Sequence, residues 1–138
     1  MQVEHRILVN APAEKLFRIY ADVANWCQWD PDTKASFIDG PFVAGAKGRL
    51  TPTKGNAVPM VLTSVQPNAH FTAESRIPLF CMVFEHELLQ SGTATQVIHR
   101  VGFSGLLTPL LGRWVGAQVN KGLPITLSRL KALAESAA

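Results

Sequence analysis

Residues 11–29 read APAEKLFRIYADVANWCQW. Just before this stretch, QVEHRILVN alternates, with Val3, His5, Ile7 and Val9 on one side and Gln2, Glu4, Arg6 and Asn10 on the other. That period of two belongs to a half-buried strand, with Leu8 the exception. Within the quoted stretch the period lengthens. Leu16, Phe17 and Tyr20 form one helical stripe, Asn10 can cap, Pro12 suits a first turn, and Glu14 complements the positive end of the helix dipole. Asp22 can then cap a second short helix, which must stop before Pro31. Val23, Trp26 and Trp29 are spaced three apart and share a side of it. The rings are expected to point inward and the carboxylates of Asp22 and Asp30 outward, as cap and exit. Trp26 would anchor this corner, Cys27 would pack beside the rings as a thiol, and Trp29 is the ring placed to touch a ligand.

Outward from this corner the chain changes character twice. KASFID, AKGRLTP, VPMVLTSVQ, HFTAESRI, CMVFEHELLQ and TATQVIHRVGF are short extended runs. GPFVAG, KGN, QPN and SGT supply turn chemistry between them. Consecutive strands with short turns predict an antiparallel meander. From Thr108 to Ser136 the period is close to that of a helix, and Val115, Val119, Leu123, Leu127, Leu130 and Ala134 form its stripe. Pro124 should kink this helix or divide it. Gly112 and Gly116 lie on the same stripe and leave the space beneath them unfilled. Leu110, Trp114 and Ile125 make a second apolar strip on the far side, expected to pack within the chain. The order predicts an α+β fold: a seven-stranded antiparallel sheet, two short helices between its first two strands, and a long C-terminal helix covering its apolar face.

The chain has 138 residues, which suits a single domain spanning 1–138. Hydrophobic residues at 47% and a net charge of +3 are those of a globular protein and give no footprint for nucleic acid. Two cysteines are too few for a disulfide framework and read as free thiols. Charged Glu4 and Arg6 interrupt the first apolar run, and no apolar window is long enough to span a bilayer. The expectation is a soluble cytoplasmic protein without integral membrane association. Beyond residue 96 there are five basic residues and one acid, Glu135, a face that can be simply solvated or can meet an anionic ligand or membrane surface.

The order of elements resembles the helix-grip fold of the START/Bet v 1-like (SRPBCC) superfamily, which includes polyketide cyclases, dehydrases and lipid-transfer proteins. APAEKLFRIYADVANWCQW is similar to its first helix and Asp-Val-x-x-Trp-x-x-Trp turn, FEHELLQSGTATQVIHRVGFSG to its last hairpin, and GLPITLSRLKALAE to the end of its C-terminal helix. The resemblance implies a sheet wrapped around the long helix, a cavity for an apolar or amphipathic small molecule, and a first strand lying beside the last. It carries over no catalytic residue.

Three histidines are candidates for chemistry. With Glu85, Glu87, Gln96 and Arg100 facing water, Phe84, His86, Leu88, Val97, His99, Val101 and Phe103 face inward. A four-residue SGTA loop puts His86 opposite His99, and a two-residue SG loop makes them diagonal. His5 joins them if the first strand pairs with the last. Such a set can be a polar patch that orients a carbonyl or carboxylate, an acid/base pair, a zinc site, or a satisfied structural cluster. No His-x-x-x-His or Cys-x-x-Cys spacing supports a metal, and no cofactor is expected. Glu74 and Arg76 are assigned to a solvated outer face, with Phe71, Ala73 and Ser75 facing the core. AKGRLTPTKGN lacks the spacing of a phosphate loop, and the context of a nucleophile elbow is absent around Ser104.

The function expected is binding of a small hydrophobic or amphipathic molecule by a carrier, sensor or store. Its lining would be Trp29, Met60, Leu62, Phe71, Phe84, His86, Val97, His99, Val101, Gly116 and Val119, with space under Gly112 and Gly116 and a filled end under Leu123, Leu127 and Leu130. The alternatives are a cyclase, dehydrase or hydrolase using His86 and His99, and a protein-interaction module using the Trp114 strip, for which a homodimer is one form.

Overall fold

The computed structural model describes residues 2–136. β1 (Gln2–Val9) leads into α1 (Ala13–Ala21) and a 3-10 helix (Val23–Gln28). Then come β2 (Thr33–Ile38), β3 (Lys47–Pro52), β4 (Val58–Gln66), β5 (His70–Ile77), β6 (Phe80–Ser91) and β7 (Ala94–Ser104), followed by α2 (Thr108–Glu135). The strands make one seven-stranded sheet in the order β1-β7-β6-β5-β4-β3-β2, antiparallel throughout. α2 lies against β1 and β7. This is the α+β helix-grip architecture that the element order predicts.

The helix starts differ from expectation in their caps. Pro12 stays extended, so α1 begins at Ala13, and Asn10 is too far upstream to cap it. Gln90 Oε1 of β6 instead accepts the Ala13 N–H at 2.9 Å. The Asn10 N–H donates to Glu135 of α2 at 2.6 Å, tying the end of β1 to the far end of the helix. Asp22 precedes the 3-10 helix, but its carboxylate accepts from Asn25 Nδ2 at 2.8 Å and caps no backbone N–H. Pro124 is accommodated inside one continuous helix and does not divide it.

One turn sets the register that positions everything that follows. β6 and β7 extend to Ser91 and Ala94, so their connection is Gly92–Thr93, with Gly92 at φ 64°. That left-handed conformation suits glycine. The resulting register sets His86 opposite His99. It is the alignment of the longer of the two expected loops, reached with a shorter turn. In β3, Gly48 sits so close to β2 that a Cβ there would collide with the Phe37 carbonyl oxygen.

The interior has two parts. The larger is built from Leu16 and Tyr20 of α1, Val23, Trp26 and Trp29 of the corner, Met60, Leu62, Phe71, Leu88 and Val97 of the sheet, and Leu127, Leu130 and Ala134 of α2. The C-terminal half of α2 therefore seals this end, and Thr126 is buried with it. The smaller part is Phe80, Val101 and Phe103, against which Val115, Val119 and Leu123 pack only partly buried. Fully burying a leucine contributes ~1.5–3 kcal/mol, so the N-terminal half of α2 is the more weakly held. Leu110, Trp114 and Ile125 do not pack within the chain: they stand exposed on the outer side of α2. The inner stripe makes the contact with β1 and β7, and among the described residues no strand or helix packs on the outer side.

Candidate functional site

The cross-strand registers place four rings in one row. Phe71 of β5 pairs with His86 of β6, His86 with His99 of β7, and His99 with His5 of β1. Directly opposed residues share a face of the sheet. The His86 ring stacks on Phe71 at 3.9 Å between centroids and 6° between planes. It meets His99 edge-on at 4.6 Å. α1 lowers Tyr20 onto this row, where its hydroxyl lies 2.8 Å from His99 Nε2. The Tyr20 ring is edge-on to Phe71 at 4.8 Å and to Trp29 at 5.7 Å. Trp26 holds the corner by donating its indole N–H to the Tyr20 carbonyl at 2.8 Å.

Burial decides the charge of this cluster. It pushes His86 down to about 4 and His99 well below the usual imidazole range, with the neighbouring His86 adding to the effect on His99. Burial likewise raises Tyr20 above the ordinary phenol range. All three are neutral at pH 7. The Phe71 carbonyl, 3.3 Å from His86 Nδ1, can only accept, which places the proton on Nδ1 and a lone pair on Nε2. The Tyr20–His99 bond can run in either sense, phenol to imidazole or imidazole to phenol. The Trp29 indole N–H is buried and finds no acceptor among the described residues. A donor left this way costs about 1–3 kcal/mol.

The named lining residues fall in different places. Trp29, Met60, Leu62, Phe71, Val97 and His99 are buried together around Tyr20, while Val101 is buried in the smaller cluster. Phe84 and His86 are partly buried on the same sheet face, and Gly116 and Val119 belong to the loosely held half of α2. A shallow groove of about 480 Å³ runs between β1 and α2, lined by Val3, Glu4, Gly112, Arg113, Gly116 and Asn120 among others. At this groove Asn120 Oδ1 accepts from His5 Nε2 at 2.7 Å. A second groove of about 240 Å³ lies beside Ile19, Trp29 and Leu133, outside the aromatic cluster.

Two side chains depart from the sequence expectation. Asp30 is turned in under α2, accepting from Thr33 Oγ1 at 2.8 Å and Thr126 Oγ1 at 3.5 Å. Burial raises its pKa, opposed by these hydrogen bonds. Cys27 lies on the exposed side of the 3-10 helix, whereas Cys81 is buried. The spacing Val23, Trp26, Trp29 already puts residue 27 off their shared side, which is the signal for its exposure. Glu74 and Arg76 pair at 2.7 Å on the outer face, as expected. The Tyr20–His99 contact was not expected; the signal available was that Tyr20, the one tyrosine, sits on the inner stripe of α1. Among the described residues no group of three or more His, Cys, Asp or Glu gathers to hold a metal ion, and no helix is long and apolar enough to cross a membrane.

A family model described as "Polyketide cyclase / dehydrase and lipid transport" matches residues 1–135. No curated protein sequence matches the chain. Among solved structures, protein MLL2253 from Mesorhizobium loti aligns with a TM-score of 0.81 at 17% identity, over 100% of this chain and 99% of that one. A START superfamily protein from Mycobacterium smegmatis aligns at 0.78 and 18% identity, over 97% of each chain. The di-domain ARO/CYC BexL from the BE-7585A biosynthetic pathway aligns at 0.75 and 23% identity, over 96% of this chain and 45% of that one. Likeness at these identities establishes a shared fold.

Proposed function

The chain belongs to the polyketide cyclase / dehydrase and lipid transport family, and from that premise we propose that it binds one small hydrophobic or amphipathic molecule between its sheet and α2. The observation that carries this reading is the buried Trp29 N–H, unpartnered beside the Tyr20–His99 pair. An apolar interior holding a few convergent polar groups is what a small-molecule site requires. The ligand would bring an oxygen acceptor for Trp29 and present its apolar body to Phe71, Phe84, Val97 and Val101. Met60 and Leu62 back the sheet side, and Gly116 and Val119 form the helix side. The groove at Gly112 and Gly116 is the entry. The His5–Asn120 bond stands between it and His99, so entry requires that bond to open.

Because every polar group in the cluster is neutral, the reading is a carrier, sensor or store for an uncharged or weakly polar head. A second reading, acid/base catalysis of cyclase or dehydrase type, is favoured by the lone pair on His86 Nε2 next to the Tyr20–His99 hydrogen bond. The test is native mass spectrometry of the protein purified from its own host, followed by displacement of a bound amphipathic dye, anilinonaphthalene sulfonate. A retained molecule, bound more weakly by Trp29→Phe, is expected. No retained molecule and no saturable dye binding would sink the proposal. Turnover of the retained molecule that is lost in His86→Ala and His99→Ala would select the enzymatic reading over the carrier.

A further inference from the structure

The outer side of α2 is the largest feature the interior does not use. Leu110, Trp114 and Ile125 are 74%, 65% and 50% exposed, large fractions for such side chains. At 100° per residue, Leu110, Trp114, Lys121 and Ile125 fall within about 60° of one another. They form a single line along the helix, roughly 22 Å from Leu110 to Ile125. Arg113 and Arg129 border the line, both exposed. From Thr108 to Ala134 the sequence holds no Asp or Glu. Among the described residues, Arg113, Lys121 and Arg129 enter no salt bridge. At the N-terminal end of α2, Leu106 and Leu79 add two more exposed apolar side chains, brought together by the Leu107 N–H to Leu79 carbonyl bond of 2.9 Å.

We propose that this face docks the protein, peripherally, on an anionic lipid surface. Apolar side chains of a surface helix that alternate with Lys and Arg can enter the headgroup layer while the cations remain among lipid phosphates and carboxylates. The charge argues against the other occupants. A second copy of this chain would set Arg113, Lys121 and Arg129 against a face of the same sign. A protein partner would have to match three cations, Lys121 on the line and Arg113 and Arg129 beside it, with no acid between Thr108 and Ala134 to offset them. The ring of Trp114 suits the depth of the membrane interface, where one side is apolar and the other wet. Docking this way lays the groove between β1 and the N-terminal half of α2 close to the lipid surface, because Arg113 borders both.

The intact chain tests this with vesicles of phosphatidylcholine alone and of phosphatidylcholine with phosphatidylserine. Trp26 and Trp29 are buried and Trp114 is exposed, so a blue shift of tryptophan emission on adding vesicles reports on Trp114. The expected result is sedimentation and a blue shift with the anionic vesicles only, both abolished by high salt. Charge reversal at Lys121 (K121E) should weaken binding by more than about fivefold, the effect of losing one cation near a charged bilayer. Trp114→Ser should weaken it by about tenfold and remove the shift. Since these positions are exposed, their melting curves should stay near that of the unsubstituted chain. Absence of binding to anionic vesicles, equal binding to neutral ones, or unchanged binding of K121E would each overturn the proposal. So would concentration-dependent self-association abolished by Trp114→Ser without any vesicle binding, which would assign the face to a second copy.

Discussion

The Tyr20 hydroxyl and His99 Nε2 are 2.8 Å apart in a largely apolar core, from residues 79 positions apart in the chain. Each satisfies the other where no solvent reaches. Tyr20→Phe removes one partner and should destabilise the fold by about 1–3 kcal/mol, the cost of a buried polar group left alone. His99→Leu alone should cost a similar amount, and the double variant less than the sum. Urea unfolding of the four proteins measures this. Strict additivity would mean that the hydrogen bond contributes nothing.

Acid should weaken the fold before the carboxylates titrate. His86 takes up its proton near 6.5 when exposed and near 4 when folded. Between those values the unfolded chain holds more protons, so stability is complete above pH 6.5 and is lost as the pH falls. His86 alone accounts for ~3 kcal/mol by pH 4, and His99 acts in the same direction. Urea midpoints measured from pH 7 down to pH 5 should fall, with a shallower slope in His86→Phe. An unchanged slope in that variant would show that His86 charges as readily inside the protein as outside.

At the corner, the folded state favours protonated Asp30 because burial outweighs its hydrogen bonds. The stabilising contribution of this group is present only below its ordinary pKa, and is lost as the pH rises. Asp30→Asn, which removes the charge and keeps an acceptor, should therefore be neutral or stabilising at pH 7. Asp30→Ala leaves the Thr33 and Thr126 hydroxyls without their acceptor and should cost about 1–2 kcal/mol. If thermal melts rank Asn below Ala, the carboxylate is needed as an anion.

The two thiols should separate cleanly by access. Cys27 is exposed and Cys81 buried, with burial and the nearby Glu74 carboxylate both raising the Cys81 pKa. A maleimide reagent at neutral pH should label Cys27 at once and Cys81 only after denaturation, as read by peptide mass. Equal labelling in the native protein would contradict the packing of β6.

α2 should be unequal along its length. Leu130 is fully buried, and Leu130→Ala should cost about 2–5 kcal/mol. Val119 is only partly covered, so Val119→Ala should cost less than about 1.5 kcal/mol. Hydrogen exchange should show the earlier turns opening before the later ones.

Much of this molecule is legible in the sequence because its signals are local. The alternation of residues 2–10, the inward run of Phe71 and Ala73, and the three-residue spacing of Val23, Trp26 and Trp29 each report a face without any knowledge of the partner. Pairing of His86 with His99 depends on one turn, so it can be narrowed to two registers. What escapes is contact between distant segments. Nothing near Asp30 announces that Thr126 of α2 will lie over it, and nothing near Tyr20 announces His99. The outer strip of α2 escapes for another reason: periodicity shows that Leu110, Trp114 and Ile125 share a side, but whether a neighbour covers that side is a property of the whole fold.

The Gly92–Thr93 turn lies in solvent, roughly 20 Å along the strand from His86. An added residue there either widens the turn or slips β7 by one step against β6. Side chains in a strand alternate, so on a slip the imidazole of His99 and the neighbouring Arg100 exchange sides. Ile98 or Arg100, according to the direction of the slip, would then take the place of His99 opposite His86, and no interior residue would have been substituted. The chemistry within the core is thus encoded partly as a count of residues in an exposed bend. Among homologues whose interior side chains align poorly, the length of that bend is the first place to look for a change in the polar groups of the core.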